Sequence, residues 1–299
     1  MPLTSVEAQE VGKYNEINYI HTYSFFLLFF FVENEKNLIN HMHVYIVHIA
    51  EDEREFDYLQ ESGKGPKQWG EMKKEWAACK NGVMQSPIDL SSQRVKLIPN
   101  LGKLNTTYKP CNATVKNRGH DISMEWMGNA GSIQINGTEY LLKQCHWHSP
   151  SEHSINGRRH AMELHMVHLS LDPNVTNKIA VVGVLYKIGH ANSFLSKLTR
   201  DVKSMTDQKA KRNMGMIDPR KIKIGGKNYY RYMGSLTVPP CTEGVIWTID
   251  RKIRTVSTDQ VKLFRFAVHD YAEMNARPVH PLNLREIQVY DRNARSTNN

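Results

Sequence analysis

The chain has 299 residues, an apolar fraction of 40% and a formal charge of +9, which together fit a globular protein able to bury one sizeable core without cross-links. Its Lys and Arg residues are scattered, apart from short clusters at residues 220–227 and 251–254, and no long basic run alternates with aromatic residues. This pattern argues against nucleic acid as a partner and indicates a solvated basic surface, although an excess of positive charge would attract anions to a cleft.

The first fifty residues differ from the rest of the chain. Residues 24–32 read SFFLLFFFV, an apolar block well short of the ~20 residues that a membrane-spanning helix needs, so no stable membrane span is expected. The block resembles the core of a signal peptide, but Glu7, Glu10 and Glu16 precede it against a single Lys13, the wrong charge for such a peptide. We interpret residues 1–50 as a targeting or pre-segment of unusual form, with an aberrant gene model as the alternative, and residues 51–299 as one domain.

The sequons bear on the compartment, and the cysteines bear on the kind of metal site. Four N-x-[ST] sequons lie close together, at Asn105, Asn112, Asn136 and Asn174. Each accepts a glycan only if the chain enters the secretory pathway, so their density favours secretion or a secretory-pathway lumen, including a plastid reached by secretion. The four cysteines form no CxxC pair, which argues against a zinc site built from thiolates.

The predicted elements beyond residue 50 are mainly strands. Residues 65–89 are rich in turn-forming pairs and are predicted to be loop-like. Residues 132–135 and 138–148 are predicted to form a hairpin around the tight Asn136-Gly137 turn, and residues 158–170 resume strand-like alternation. Residues 179–188 read IAVVGVLYKI, which suits a strand buried on both faces. Helical spacing is clearest at residues 192–204 and is plausible at 261–268, so the pattern predicts one β-rich domain.

Alternation along two of these strands places three histidines together. Side chains alternate between the faces of a strand, so Gln144, His146 and His148 share one face, and Cys145 and Trp147 point to the other. In the next strand Glu163, His165 and Val167 share one face, and strand pairing would bring His165 beside the first two histidines. Three neutral imidazoles leave one tetrahedral position open for water, as in a catalytic zinc site. Gln144 and Glu163 are placed to fix the ligand tautomers.

The alternative is that these are ordinary histidines in a histidine-rich stretch. An HxH pair alone is a weak signal, and the neighbouring His153, His160 and His168 fit that plainer interpretation better than a metal role. His165 on the matching face, with the carboxylate of Glu163 beside it, favours a metal site over ordinary histidines. The residue pattern alone does not identify the metal or the reaction.

Several motifs in a fixed order extend this interpretation. They are QCHWHSPSEH at residues 144–153, ELHMVH at 163–168, QSPIDL at 85–90, NRGH at 117–120, GSLTVPPCTEG at 234–244 and NARP at 275–278. Together they resemble an α-type carbonic anhydrase, most nearly the secreted plant members, from about Phe56 to Tyr290. The resemblance implies a mainly β (α+β) single domain with a large, twisted, mostly antiparallel central sheet, short peripheral helices and zinc at the base of a conical cleft.

The resemblance also implies roles for individual residues. His146, His148 and His165 match the zinc ligands, with Gln144 and Glu163 behind them. Thr237 matches a gatekeeper hydroxyl that donates to Glu152, and His120 matches a proton shuttle whose ordinary pKa near ~6.5 suits that task. The residues that match the apolar wall of the substrate pocket are Val167, Val181, Leu236, Val238, Val245 and Trp247. Val238 stands where other members can carry a polar residue. Arg118 is expected at the cavity rim beside His120, where its fixed positive charge would lower the pKa of that histidine.

The resemblance pairs Cys79 with Cys241 in a disulfide of the kind found in secreted members. Cys111 and Cys145 match no family cysteine, and strand parity turns Cys145 away from the metal, so we interpret it as a buried structural thiol.

The function implied is zinc-dependent, reversible hydration of carbon dioxide to bicarbonate and a proton by zinc-bound hydroxide, with these small molecules as partners. The alternative is a non-enzymatic secreted binding or storage protein on the same fold. The presence of all three histidines, Thr237 and Glu152 favours the enzyme. A zinc hydrolase of another class lacks support because the sequence contains no HExxH motif.

Overall fold

The computed structural model describes residues 55–206, 210–268 and 272–294, so the predicted pre-segment 1–50 lies outside the described residues. The strands in these ranges are β1 (Val95–Leu97), β2 (Asn105–Thr106), β3 (Cys111–Asn117), β4 (Ile122–Trp126), β5 (Ser132–Ile135), β6 (Thr138–His148), β7 (Ser154–Ile155), β8 (Arg158–Arg159), β9 (Met162–Leu169), β10 (Ile179–Ile188), β11 (Ala210–Ile217), β12 (Asn228–Ser235), β13 (Glu243–Asp250), β14 (Arg254–Val256) and β15 (Ile287–Asp291). The α-helices are α1 (Trp69–Met72), α2 (Ala78–Asn81), α3 (Ser193–Lys203) and α4 (Thr258–Ala267), with 3-10 turns at Lys74–Trp76, Ser92–Arg94, Pro99–Leu101 and Pro219–Ile222.

Among the described residues, thirteen strands form one large mixed sheet whose main path runs β1-β15-β12-β13-β10-β9-β6-β4-β3-β11. Most neighbours are antiparallel, and β1–β15, β10–β13 and β10–β14 are the parallel pairs in this part of the chain. The strands β7 and β8 form a separate small hairpin. The predicted fold class, a mainly β domain with a large, mostly antiparallel sheet and short helices, is confirmed.

Local sequence signals explain several elements. Asn136 and Gly137 both have positive φ, at 50° and 79°, as the tight turn between β5 and β6 requires. The side chain of Asn192 accepts hydrogen bonds from two backbone N–H groups at the start of α3, and Ser257 caps α4. The expectation of a loop over residues 65–89 is partly wrong, because α1, α2 and a 3-10 turn occupy part of it. These helices are only about one turn long, too short to show the periodicity that predicts a helix.

The sheet is buried on both faces. Cys145, Trp147 and Leu164 belong to one apolar core, which also contains Phe194 of α3 and Phe264 of α4. A second core contains Val167 of β9, Val181 of β10 and Trp247 of β13, on the face to which His146 and His165 are assigned by strand parity. The continuous apolar run of β10 is thereby explained, since Ile179 to Tyr186 are all buried.

The disulfide predicted from the resemblance is present. Cys79 of α2 is bonded to Cys241, 162 residues away in sequence, in the segment that connects β12 to β13. Cys241 has a φ of 57°, and its backbone N–H donates to the carbonyl of Val238. The bond therefore holds the segment containing Thr237 against the N-terminal helices.

Removing this bond is expected to destabilise the domain strongly. The double substitution Cys79→Ser/Cys241→Ser should lower the free energy of unfolding by about 3–5 kcal/mol, because the bond closes a very long loop of the unfolded chain. Urea denaturation measures the change, and Cys111→Ser, at a free and half-buried cysteine, is the control. A loss below about 1 kcal/mol in the double variant would contradict the expectation.

No helix in the described ranges has the length and apolar content needed to cross a bilayer.

Candidate metal centre

The pairing of β6 with β9 brings the three predicted ligands together. His146 lies directly opposite His165, and His148 lies opposite Glu163. The ring centroids of His148 and His165 are 4.6 Å apart, and His146 lies about as close to both. One nitrogen from each ring falls in a group whose members all lie within 4.8 Å of one another, so a single small cation could contact all three.

Hydrogen bonds on the opposite ring nitrogens fix the tautomers. His146 Nδ1 lies 3.0 Å from Gln144 Oε1, His148 Nδ1 lies 2.7 Å from the carbonyl oxygen of Asn275, and His165 Nε2 lies 2.8 Å from Glu163 Oε1. Each of these oxygens accepts, so each of these nitrogens donates. The lone pairs therefore lie on His146 Nε2, His148 Nε2 and His165 Nδ1, the same arrangement that metal-binding histidines show with their outer partners.

Burial favours neutral imidazoles here. Burial holds the pKa of His146 well below its usual range and also lowers the pKa of His165, against the opposing pull of Glu163. Burial alone would raise the pKa of Glu163, but His153 and His165 outweigh it and hold that pKa well below the usual value. The site thus combines neutral nitrogen donors with a charged carboxylate behind one of them.

An unpartnered buried nitrogen supports the fit of the donor set to a metal. His148 Nε2 is buried and has no hydrogen-bond partner among the described residues. A buried acceptor without a partner costs free energy, and a cation shared with the other two nitrogens would satisfy it. Three imidazoles suit zinc, with a fourth position left for a small ligand.

Glu152 lies at the edge of this group. Its carboxylate is fully buried, and Oε1 accepts a hydrogen bond of 2.9 Å from the backbone N–H of Arg277. The other oxygen, Oε2, lies 3.5 Å from His148 Nε2 and 3.9 Å from His165 Nδ1. This oxygen has no hydrogen-bond partner within the described part of the chain, so Glu152 presents a free acceptor beside the lone pairs of two histidines.

Thr237 is buried at 4% exposure, but its hydroxyl is not bonded to Glu152 Oε2. The loop that carries it is held by neighbouring contacts. Trp247 Nε1 donates to the carbonyl of Ser235, and Leu236 N donates to the carbonyl of Thr242. The predicted contact between Thr237 and Glu152 is therefore not formed here, and its role stays a prediction.

His120 is buried, with 2% of its surface exposed, and packs against the ring of Phe56 at 5.2 Å between centroids. Burial lowers its pKa to about 4; Asp121 opposes this lowering and Arg118 adds to it. Neither ring nitrogen has a hydrogen-bond partner in the described residues. The direction is the one expected from the charge of Arg118, but removal from water, which disfavours the imidazolium, is the larger cause.

The expectation that Arg118 stands at the exposed rim of a cavity is wrong, because the residue is buried. Its side chain is 9% exposed and forms a paired contact with Asp121, Nε to Oδ1 at 2.7 Å and Nη2 to Oδ2 at 2.5 Å. The charge is thus largely compensated by a neighbouring carboxylate.

The predicted apolar wall divides between two clusters. The five residues that lie in the same core are Val167, Val181, Leu236, Val245 and Trp247. Val238 packs elsewhere, with Phe56, Trp69 and the disulfide. Val238 begins the turn over residues 238–241, which the hydrogen bond from Cys241 N to the Val238 carbonyl closes. This position places Val238 beside the disulfide and not beside Leu236.

Comparison with known proteins identifies the family. Residues 64–291 match the family model described as eukaryotic-type carbonic anhydrase. The chain belongs to this family. Alpha carbonic anhydrase 7 of Arabidopsis thaliana is 51% identical over 279 residues, covering 93% of this chain and 98% of that protein. Carbonic anhydrase Nec1 of Nesocodon mauritianus is 53% identical over 242 residues, covering 81% and 87% of the two chains.

A solved structure agrees with this membership. The crystal structure of dioscorin complexed with ascorbate has a TM-score of 0.77 and 44% sequence identity, and covers 81% of this chain and all of that one. The relatives of this carbonic anhydrase family member thus include proteins named carbonic anhydrase and a protein named dioscorin. Family membership alone therefore does not decide activity, which depends on the residues of the site.

Three residues of the site were missed or undervalued by sequence reasoning. His153 is fully buried and donates its ring and backbone N–H groups to Glu163, at 2.7 and 2.8 Å, while its other nitrogen lies 2.6 Å from the hydroxyl of Tyr232. The carbonyl of Asn275 orients His148, and the backbone of Arg277 holds Glu152. Every residue type has the same backbone groups, so these contacts could not be predicted from the identity of Asn275 or Arg277. Only the NARP motif at residues 275–278 indicated that this segment belongs to the site.

Proposed function

We propose that this chain catalyses the reversible hydration of carbon dioxide at a zinc ion held by His146, His148 and His165. The observation that supports the proposal most directly is the convergence of three imidazole lone pairs, each locked by a hydrogen bond on its other nitrogen. Zinc bound there would acidify a water molecule so that it becomes a nucleophile near neutral pH.

The remaining residues have separate tasks in this proposal. Gln144, Glu163 and the Asn275 carbonyl keep the ligand rings in place and raise their basicity. In the proposal, the Thr237 hydroxyl donates its hydrogen to the free Oε2 of Glu152. Its oxygen can then only accept a hydrogen bond from the water or hydroxide that reacts with carbon dioxide. The core containing Val167, Val181 and Trp247 supplies an apolar surface for an uncharged substrate. The complete donor set favours an enzyme over the alternative of a non-enzymatic binding protein.

The experiment that tests this function is stopped-flow hydration of carbon dioxide by the zinc-loaded chain, with His146→Ala as control. Acceleration well above the control is expected. A wild-type rate no higher than that of the control would contradict the enzyme and favour the alternative of a binding protein. Ascorbate, the ligand of the dioscorin structure, would then be the first compound to test for binding.

His120 enters the proposal as the proton relay, and its burial makes the expected effect small. With a pKa of about 4, the imidazole stays neutral at pH 7 and accepts a proton poorly. His120→Ala is therefore expected to slow turnover at low buffer by less than about tenfold, well below the ~10²-fold or more that a matched general base contributes. A loss of ~10²-fold that added imidazole restores would show instead that the ring leaves its buried position during turnover.

We also propose that residues 1–50 direct the chain into the secretory pathway and are removed. The disulfide supports an oxidising compartment, and all four sequon asparagines are exposed. Sequencing the N-terminus of the secreted protein is expected to give a start near Glu51, and glycosidase treatment to lower the apparent mass. A cytosolic product with an intact N-terminus would contradict this expectation.

A further inference from the structure

A polar cavity lies away from the histidines. It has a volume of about 610 Å³, and the charged residues that line it are Lys223, Lys227, Asp250, Arg251, Lys252 and Arg254. It is formed where β12 begins and β13 ends, whereas Thr237 follows the opposite ends of these strands. Each strand has eight residues, so at ~3.3 Å per residue the cavity lies roughly 25 Å from Thr237.

Asp250 organises the walls of the cavity. Its buried carboxylate accepts from the backbone N–H of Gly225 at 2.7 Å, from that of Lys252 at 3.0 Å and from Arg254 Nη2 at 3.0 Å. A Cβ at Gly225 would lie 2.8 Å from Asp250 Oδ1, so only glycine allows this approach. Asp250 thereby joins the loops that contain Gly225 and Lys252. Its negative charge is compensated by Arg254 and by the two backbone N–H groups.

The remaining cations have little compensation. Arg251 is paired with Asp291 at 2.7 Å. No described carboxylate forms a salt bridge with Lys223, Lys227 or Lys252, and all three side chains are exposed. Arg254 donates to the carbonyl of Lys223 as well as to Asp250, so it joins the two loops. The exposed cations around the cavity therefore outnumber the anions, which favours an anionic ligand.

The lining also limits the kind of anion. A volume of about 610 Å³ is in the range of small-molecule sites, roughly 300–1,000 Å³. None of the lining side chains is aromatic or aliphatic, so nothing here would hold a base or an acyl chain. The cations come from two separate segments, 223–227 and 251–254, and one phosphate is too small to contact both at hydrogen-bond distance across such a cavity.

We propose that this cavity binds a hydrophilic polyanion, a sugar or polyol that carries two phosphate groups. One phosphate contacts Lys223 and Lys227, and the other contacts Lys252 and Arg254. The ammonium groups of the three lysines act as point charges on flexible side chains. The site is independent of the zinc chemistry, and a ligand could occupy it while carbon dioxide turns over.

The test is isothermal titration calorimetry of the zinc-loaded full chain with fructose 1,6-bisphosphate. Inorganic phosphate is expected to bind at least tenfold more weakly, and fructose not at all. Lys227→Gln/Lys252→Gln is expected to weaken binding of the bisphosphate at least tenfold, with hydration of carbon dioxide unchanged. The matched control is Lys197→Gln/Lys203→Gln, which removes the same charge from the exposed face of α3 and should change the affinity less than twofold.

Several results would overturn the proposal. The wild type could fail to bind the bisphosphate, or the two double variants could lose affinity equally, which would show general attraction to the +9 chain. Inorganic phosphate binding as tightly as the bisphosphate would rule out the two-phosphate ligand.

Discussion

His148→Ala is expected to lose both zinc and activity. The substitution removes the imidazole whose buried Nε2 has no hydrogen-bond partner among the described residues, so two nitrogens remain from a set of three. Because loss of an outer partner alone typically costs 10–100-fold in metal affinity, loss of a ligand should cost more than about 10²-fold. Hydration of carbon dioxide should fall on the order of 10³-fold or more, since no water is acidified at the site.

Metal analysis after dialysis and stopped-flow hydration measure the two effects. His160→Ala is the control, because this histidine is partly exposed and lies outside the metal group. It should keep one zinc per chain and its full rate. A His148→Ala protein that retained zinc and turnover would place the metal elsewhere.

Glu152→Gln is expected to separate metal binding from turnover. The new side chain keeps the volume of the old one but has one acceptor oxygen where the carboxylate has two. If that oxygen accepts from Arg277 N, as Oε1 does at 2.9 Å, an N–H₂ group replaces the free acceptor beside His148. Thr237 then has no acceptor for its hydroxyl, and hydration should slow by about 10²-fold because the reacting group is misoriented.

Zinc content should stay at one per chain in this variant, which distinguishes it from loss of a ligand. Glu286→Gln, at an exposed carboxylate just before β15, is the matched control and should leave the rate of hydration unchanged. A rate within threefold of wild type for Glu152→Gln would remove Glu152 from the proposed mechanism.

The sequence predicted much of the site because strand geometry is regular. A period of two placed Gln144, His146 and His148 on one face and Cys145 in the opposite core, and the observed register then set His146 against His165. The tight turn at Asn136 and the helix over residues 192–204 were likewise predicted from local signals. The family motifs supplied the pairing of Cys79 with Cys241.

What the sequence could not predict depends on contacts between distant segments. The burial of His120 against Phe56, and with it the lowered pKa, arises from packing across more than sixty residues of chain. The acceptor for His148 is a backbone carbonyl, which any residue type would supply. The fully buried Arg277 donates to Gln85, Ser86 and Cys79, and no pattern in its own neighbourhood indicates those partners.

The most direct test of the metal centre is titration of the zinc-free protein with zinc while hydration of carbon dioxide is followed. The proposal predicts that activity rises in proportion to added zinc and stops rising at one equivalent per chain, and that His148→Ala stays inactive throughout. Tight binding of one zinc per chain with no hydration above the His148→Ala level would contradict it.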